Sequence, residues 1–374
     1  MDTIIEEPII EPEIEETSRK LASIQRIKAI SPIVFTNKET GLQETAANIE
    51  HAQVEGWWVI VKKGLKVDEF VCYFEIDSVL PFQPWSEFLK DKNRPERPIK
   101  LKTAKRLGAL SQGLIIPISE LPELNGIELV EGMNVTKELG VIKYEPPCDV
   151  TLRGLCRSTR PGWVKKTDED RLQSNLNYIP LFFGKQIYYS QKMDGSSGSF
   201  GFHNLEFHAC SRNMDMLEVE TNAFWRIAKK YNIAAVLEKY YQETGVELVI
   251  QGEVCGEGIQ KNPIGLKGID FYVFNITKIH GDIDFSLDEM INFCNDNGLK
   301  TVPILKRCVF DYKEEDAVEK LLAEADTYTY PNGRIGEGIV IRPIIPEKHP
   351  RTGGRLSFKV ISNKFLLKND SKED

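Results

Sequence analysis

The chain has 374 residues, 41% hydrophobic and 28% charged, enough apolar material for two globular domains with real cores. No apolar run approaches the ~18 residues of a membrane-spanning helix, and the opening MDTIIEEPIIEPEIEE lacks the positive start of a secretory signal. A monomer with a cytoplasmic or nuclear address and no membrane partner is therefore expected. The net charge of −8 argues against a polyanionic partner only at first sight, because seven of the acids lie within residues 1 to 16, which hold no lysine or arginine.

Residues 1–19 read as a disordered acidic extension. From residue 20 to 145, short apolar alternations punctuated by glycine and proline (LASIQRIKAI, WWVIVKK, FVCYFEI, SQGLIIPI, VTKELGVIKY) predict about five strands, an all-β unit such as a small OB-like barrel. It carries a basic excursion, with Lys92, Arg94, Arg97, Lys100, Lys102, Lys105 and Arg106, that a phosphate backbone would suit. Residues 146–164, rich in proline, arginine and polar side chains, read as a linker that holds Arg153, Arg157 and Arg160.

Residues 165–374 mix strands and helices without strict βαβ alternation, which predicts an α+β domain with mainly antiparallel sheets. IYYSQKM, SGSFGFHN and LEFHACS read as a meander; FWRIAKKYNIAAVLEKYYQ and EEDAVEKLLAEA have helical spacing; VELVIQGEV, IDFYVFNI, EGIVIRP and RLSFKVI read as later strands. The seven cysteines form no C-x-x-C pair, so they indicate neither a disulfide framework nor a zinc site.

Six segments carry charge or an aromatic at the middle or end of an apolar strand: QKMDG (191–195), SRN (211–213), QGEVCGEGIQKN (251–262), FYVFNI (271–276), EGIVIRP (337–343) and SFKVISNKF (357–365). Singly each has a plain reading. Asp-Gly is a hairpin turn signal, Glu253 a strand-end acid, Glu337 a hairpin acid, Phe274 a core aromatic and Arg212 a surface strand residue. In this order and spacing they resemble the covalent nucleotidyltransferases, and most closely the nick-sealing branch of the ATP-dependent RNA ligases. GEVCGEGIQKN with DFYVFNI is the most specific part. GWWVIVKKG, YFEIDSVLP and LKTAKRLGALSQGL resemble the N-terminal OB module of one group of these ligases, and KKTDEDRLQSN the segment opening their catalytic domain.

The resemblance implies an ATP-grasp-like nucleotidyltransferase domain with antiparallel sheets and flanking helices. It implies ATP and Mg2+ (or Mn2+) as cofactors, and RNA with 3'-OH and 5'-phosphate ends as substrate. Lys192 would be the nucleophile, attacking the α-phosphorus of ATP. An ordinary lysine, with a pKa near ~10.4, is almost wholly protonated at neutral pH, so nearby cations, Lys359 and the metal, are expected to lower it. Asp194, two residues on and so on the same strand face, would hold the metal with Glu253 and Glu337, unless Glu253 grips the ribose instead. Gln191, Met193, Ser197, Arg212, Phe274 and Lys359 would contact the nucleotide, Phe274 by stacking on adenine. Arg171, Arg342, Lys364, Lys100, Lys102 and Lys105 are candidates for phosphate or RNA.

Two departures from the family pattern stand out. Lys359-Val360-Ile361 offers only the first lysine of the usual K-x-K, with Lys364 or Arg342 to compensate, and the sequence ends about ten residues after that motif, leaving substrate handling to the N-terminal unit. The competing readings are a GTP-dependent capping-type guanylyltransferase and a non-catalytic RNA-binding protein on the same fold.

Overall fold

The computed structural model of the protein describes residues 20–38, 40–144 and 155–370. The acidic extension and Arg153 lie outside the described residues. The chain divides into two units, residues 1–54 with 58–145, and residues 55–57 with 146–374.

The first unit is all-β. Phe70–Phe74 is flanked on both sides by antiparallel partners, Ala22–Arg26 and Leu114–Pro117. Their inward side chains meet Leu80, Trp85, Ile99 and Val135 in one buried cluster, where Phe74 stacks on Trp85 with ring centroids 5.1 Å apart. Burial of such aromatics, at roughly 1.5–3 kcal/mol each, holds the sheets of this unit together. Ala29–Thr36 pairs with Gln43–Val54, and Thr103–Arg106 forms a hairpin with Ala109–Gln112. LASIQRIKAI is thus two strands, since the chain passes from one sheet to the next at Ile27 and Lys28. Most of VTKELG is a turn closed by Leu139 N–H to Val135 O (3.2 Å), with Gly140 at φ 62°, and only Ile142–Lys143 is strand.

The second unit is built on two sheets. The larger has eight strands, in the order Cys156–Thr159, Met214–Met216, Glu206–Cys210, Ser196–His203, Leu248–Gly256, Ile269–Lys278 and Ile283–Asp284, with Lys300–Thr301 beside Ile269–Lys278. The smaller has five, Asp170–Arg171, Phe358–Ile361, Gly338–Pro343, Gln186–Lys192 and Ile304–Val309. All pairings with assigned register in these two sheets are antiparallel except Asp170–Arg171 with Phe358–Ile361 and Lys300–Thr301 with Ile269–Lys278. Helices Ala223–Lys230 and Ile233–Thr244 bury Ile227, Ile233 and Leu237 against Phe200, Ile250 and Phe271 of the large sheet. Helix Ala317–Ala325 packs Leu321 into a cluster with Phe358 of the small sheet, Phe182 of helix Tyr178–Phe182 and Phe310 just past strand Ile304–Val309. Because both faces of the central strands are covered, Leu248–Gly256 and Gly338–Pro343 are buried almost throughout, although they carry Gln251, Glu253 and Arg342.

Four sequence expectations change here. The supposed meander is split: Gln186–Lys192 belongs to the small sheet, while Ser196–His203 and Glu206–Cys210 belong to the large one. The helical stretch from Phe224 is two helices, broken where Asn232 takes the left-handed conformation at φ 50°. Cys156–Thr159, placed in the linker by its composition, is the edge strand of the large sheet, paired with Met214–Met216. A further helix, Leu287–Asp296, is started by a capping box in which Ser286 and Glu289 satisfy each other's backbone N–H groups.

Candidate active site

The split meander answers what QKMDG does. Asp-Gly is no hairpin turn: Lys192 ends a strand of the small sheet, and residues 193–195 carry the chain across to the large sheet. Gly195 is needed for close approach. A Cβ there would stand 2.4 Å from Val254 O and 2.9 Å from Glu253 Cγ. Since the strand stops at Lys192, the shared strand face expected for Lys192 and Asp194 does not exist. The crossing segment brings them together instead, close enough for Asp194 to act on the charge of Lys192.

Lys192 Nζ lies 2.7 Å from Glu337 Oε1, and both side chains are largely buried. Glu337 immediately precedes Gly338, whose backbone sits opposite Lys192 across the ladder. At φ 152°, with Val360 O only 2.2 Å from an added Cβ, Gly338 could carry no side chain. Glu253 approaches from the large sheet, in register with Ser197 on one side and Tyr272 on the other. Lys359 lies opposite Val340, which lies opposite Ser190, so Lys359 shares the sheet face of Lys192. The position of the missing second lysine, Ile361, is buried opposite Gly338.

Three carboxylates around one lysine set the electrostatics. Burial, with the neighbouring Glu337 and Asp194, pushes Glu253 up to about 8 against the pull of Lys192 and a Gly195 N–H. Burial and Glu337 push Asp194 up to about 6, opposed by Lys192 and Lys261. Burial alone would lower the pKa of Lys192, but Glu337, Glu253 and Asp194 outweigh it and the shift is upward. The protein's own carboxylates therefore hold Lys192 protonated, and the lowering expected from cations would fall to the bound metal. The pocket is overcharged with anions, which fits a hard divalent cation: Asp194, Glu253 and Glu337 are oxygen donors of the kind Mg2+ and Mn2+ take.

One residue of this site gave no signal in the sequence. Tyr330 is fully buried, and its Oη accepts from the backbone N–H of Asp194 (3.2 Å) and of Glu337 (3.3 Å) while donating to Lys192 O (3.3 Å). A single phenol therefore ties the backbone of the lysine to that of two of the acids. The ring packs with Met193, Cys255, Ile264 and Val302, and Phe274 and Tyr272 border the same cluster. Phe274 is the extra residue of a β-bulge between Leu248–Gly256 and Ile269–Lys278, where Gln251 faces Asn275 but Gly252 faces Val273. Lys261 was also missed; it lies in the loop after GEVCG and acts on Asp194.

Gln191 is buried with its Nε2 donating to Thr329 O at 3.1 Å, so an acceptor role toward adenine would fall to its Oε1. Arg212 sits exposed in the turn after Glu206–Cys210, paired with Asp168 at 2.8 Å. Arg171 is buried opposite Lys359. Arg342 is buried and committed to Glu169 and to Phe274 O (2.6 Å), whereas Lys364 is exposed and donates to the backbone Asp326 O (3.2 Å). In the first unit Lys100 Nζ lies over the Tyr144 ring (3.8 Å) and Lys102 is half-buried, whereas Lys105 and Arg106 are exposed on the hairpin. The three lysines do not form one uniform face.

A largely buried lysine under the influence of three carboxylates thus stands at the crossing between two mainly antiparallel sheets. An RNA ligase family model matches residues 185–361, and an OB-fold domain model matches residues 21–118. Solved structures of Naegleria gruberi RNA ligase match almost end to end. A ligand-free mutant gives a TM-score of 0.80 at 32% identity, covering 95% of this chain and 100% of that one. The form with pyrophosphate gives 0.78 at 33%, and a mutant with AMP and Mn gives 0.79 at 32%, each with the same coverage. No curated protein matches the sequence. The chain belongs to the RNA ligase family, with an OB-fold unit ahead of an α+β ligase domain.

Proposed function

We propose that the protein is an ATP-dependent RNA ligase that joins 3'-OH and 5'-phosphate RNA ends through a lysyl-AMP intermediate on Lys192. The observation that carries the reading is the Lys192 to Glu337 contact of 2.7 Å, with Asp194 and Glu253 completing the ring. In the first step Lys192 Nζ forms a bond to the α-phosphorus of ATP as the bond to pyrophosphate breaks. In the second, a 5'-phosphate oxygen of RNA takes AMP from the lysine. In the third, the 3'-hydroxyl attacks that 5'-phosphorus and AMP leaves.

Only the neutral amine attacks, so Lys192 must lose a proton, and Glu337 Oε1 is the acceptor in reach. Asp194, Glu253 and Glu337 would hold Mg2+ or Mn2+, which when bound offsets charge on the phosphates and relieves the carboxylate field that holds Lys192 protonated. Phe274, Met193 and Ser197 line the nucleotide side, and Lys359 faces the α-phosphate. Arg212 is placed in a turn from which its fork of donors can turn to the 5'-phosphate. That the Naegleria enzyme has been seen with ATP and Mn, with AMP and Mn, and with pyrophosphate supports the same nucleotide and metal class here.

We further read the protein as a monomer, and its compartment as a reducing, intracellular one on the free thiols of all six described cysteines. Among the described residues no helix is long and apolar enough to cross a membrane. The test is nick sealing: a duplex with RNA or DNA on each side of the nick, with ATP or GTP and Mg2+. Sealing with ATP and RNA at the 3'-OH side is expected; sealing with GTP alone, or adduct formation without sealing, would overturn the reading.

A further inference from the structure

His203, Glu247 and His280 come from three separate elements, and their ligand atoms all lie within 4.8 Å of one another. His203 is the last residue of Ser196–His203, Glu247 precedes Leu248–Gly256, and His280 sits in the turn after Ile269–Lys278. Glu247 Oε2 is 2.6 Å from His203 Nδ1 and 3.0 Å from His280 Nε2. Ser197, opposite Glu253, is six residues from His203 on the same strand, so the cluster stands roughly 20 Å from the carboxylates around Lys192.

We propose that these three side chains form a second cation site, for one borderline divalent ion of the Zn2+ class. Two imidazole nitrogens and one carboxylate oxygen are the donor set that Zn2+ takes when it leaves a fourth position to water, whereas Mg2+ prefers oxygen alone. Donors about 2.1 Å from a tetrahedral centre stand roughly 3.4 Å apart, so the two Glu247 spacings of 2.6 and 3.0 Å need open by less than about 1 Å, and the two imidazole nitrogens already lie within 4.8 Å of each other. The surroundings are those of a supported site. Glu247 is buried, and its second oxygen, Oε1, accepts the Asn204 backbone N–H at 2.8 Å. Asn204 also places its carboxamide 3.2 Å from His203 Nε2, the nitrogen that must carry the proton once Nδ1 binds a metal. Turning that carboxamide over presents its oxygen to the new N–H. Both turn residues are held for this: Asn204 and Leu205 have φ of 51° and 63°, the pattern of a two-residue hairpin. Trp163 fixes the ring from the side, centroid to centroid 4.9 Å from His203. His280 is the exposed member and leaves the entry path open, with 77% of its side chain accessible. Bound there, the ion would cross-link three loops at one end of the large sheet and leave the transfer chemistry alone.

The test uses the full-length protein in millimolar Mg2+, so that the carboxylates near Lys192 are already served. Zn2+ is titrated against a chromophoric chelator, and Co2+ is added separately as a spectroscopic probe. Wild type is expected to take up one Zn2+ with micromolar or tighter affinity and to give visible Co2+ bands of low-symmetry nitrogen ligation. His280→Ala should weaken Zn2+ at least about 100-fold and lose the bands, since even removal of an outer-shell partner costs 10–100-fold. His280→Gln should behave likewise, and both variants should keep wild-type adenylylation in Mg2+ alone, which shows that they fold. No uptake by wild type at ~100 μM Zn2+, or equal uptake by the His280 variants, would overturn the proposal.

Discussion

Replacing Tyr330 by phenylalanine removes one oxygen atom and leaves the packed ring in place, so it isolates the tie between the backbones of Lys192, Asp194 and Glu337. The three bonds are long, 3.2 to 3.3 Å, and each sits at the lower end of the net contribution of a hydrogen bond, roughly 0.5 kcal/mol. Two amide N–H groups also lose their acceptor, so the summed loss is about 1.5–2 kcal/mol of stability. The same geometry positions the nucleophile and two proposed metal-holding acids. A comparable loss in the transition state corresponds to about 10- to 30-fold in rate, at about 1.4 kcal/mol per decade. The assay is single-turnover transfer of label from α-labelled ATP at saturating nucleotide, repeated across Mn2+ concentration, beside urea unfolding. The expected outcome is a slower step with a higher half-saturating Mn2+ concentration. A less stable protein with an unchanged rate and unchanged metal dependence would show that Tyr330 is only a core residue.

Gly195→Ala should destabilise the protein by about 1–3 kcal/mol and abolish measurable adenylylation, because its Cβ cannot coexist with Val254 O at 2.4 Å; normal label transfer would refute the close approach. Arg342→Met should cost about 3–5 kcal/mol in chemical denaturation, because it leaves Glu169 buried without its main partner; a stable variant defective only in adenylylation would restore Arg342 as a phosphate ligand. Asp270 is held at about 2 by Lys300, Tyr231 and Lys230 in spite of burial. With a folded value below the ordinary 3.8, its contribution is present above pH ~4 and lost as the pH falls through about 2. Asp270→Asn should therefore lower stability by on the order of 1–2 kcal/mol at pH 7, with the difference from wild type gone near pH 2. Charge reversal of exposed Lys105 and Arg106 should reduce the log-log salt slope of RNA binding by about 0.7–0.9 per lost contact, and an unchanged slope would remove that hairpin from the RNA surface.

Much of the candidate site was legible because its members are charged residues at the ends of apolar strands, where a side chain is costly unless it has a task. Lys192 and Glu337 meet at 2.7 Å, and Glu253 acts on the same lysine. The route by which they meet was not legible. Period-2 reasoning put Asp194 on the face of Lys192, but the strand ends at the lysine and the pairing comes from a sheet-to-sheet crossing that no local pattern encodes. Tyr330 was invisible for a related reason: its function lies in three backbone groups, the nearest of them seven residues away and the others about 136 and 138, and a tyrosine in a turn carries no mark of that. The direction of the Lys192 shift depended on counting three carboxylates against one lysine in three dimensions. Arg342 stands out by its charge, yet that charge is already met by the buried Glu169. In the first unit, the alternation in VTKELG was overridden by a glycine-closed turn, and helix Leu287–Asp296 was passed over although its Ser286 to Glu289 capping box stood in the sequence.

The central claim, that Lys192 carries AMP, is tested most directly by incubating the protein with ATP and Mg2+ in the absence of RNA and mapping the adduct by peptide mass spectrometry. The account predicts one AMP per chain on the peptide holding Lys192, acid-labile as a phosphoramidate is, and none in Lys192→Arg, because a guanidinium stays protonated and cannot attack phosphorus. An AMP adduct on another residue, or on Lys192→Arg at the wild-type level, would contradict it.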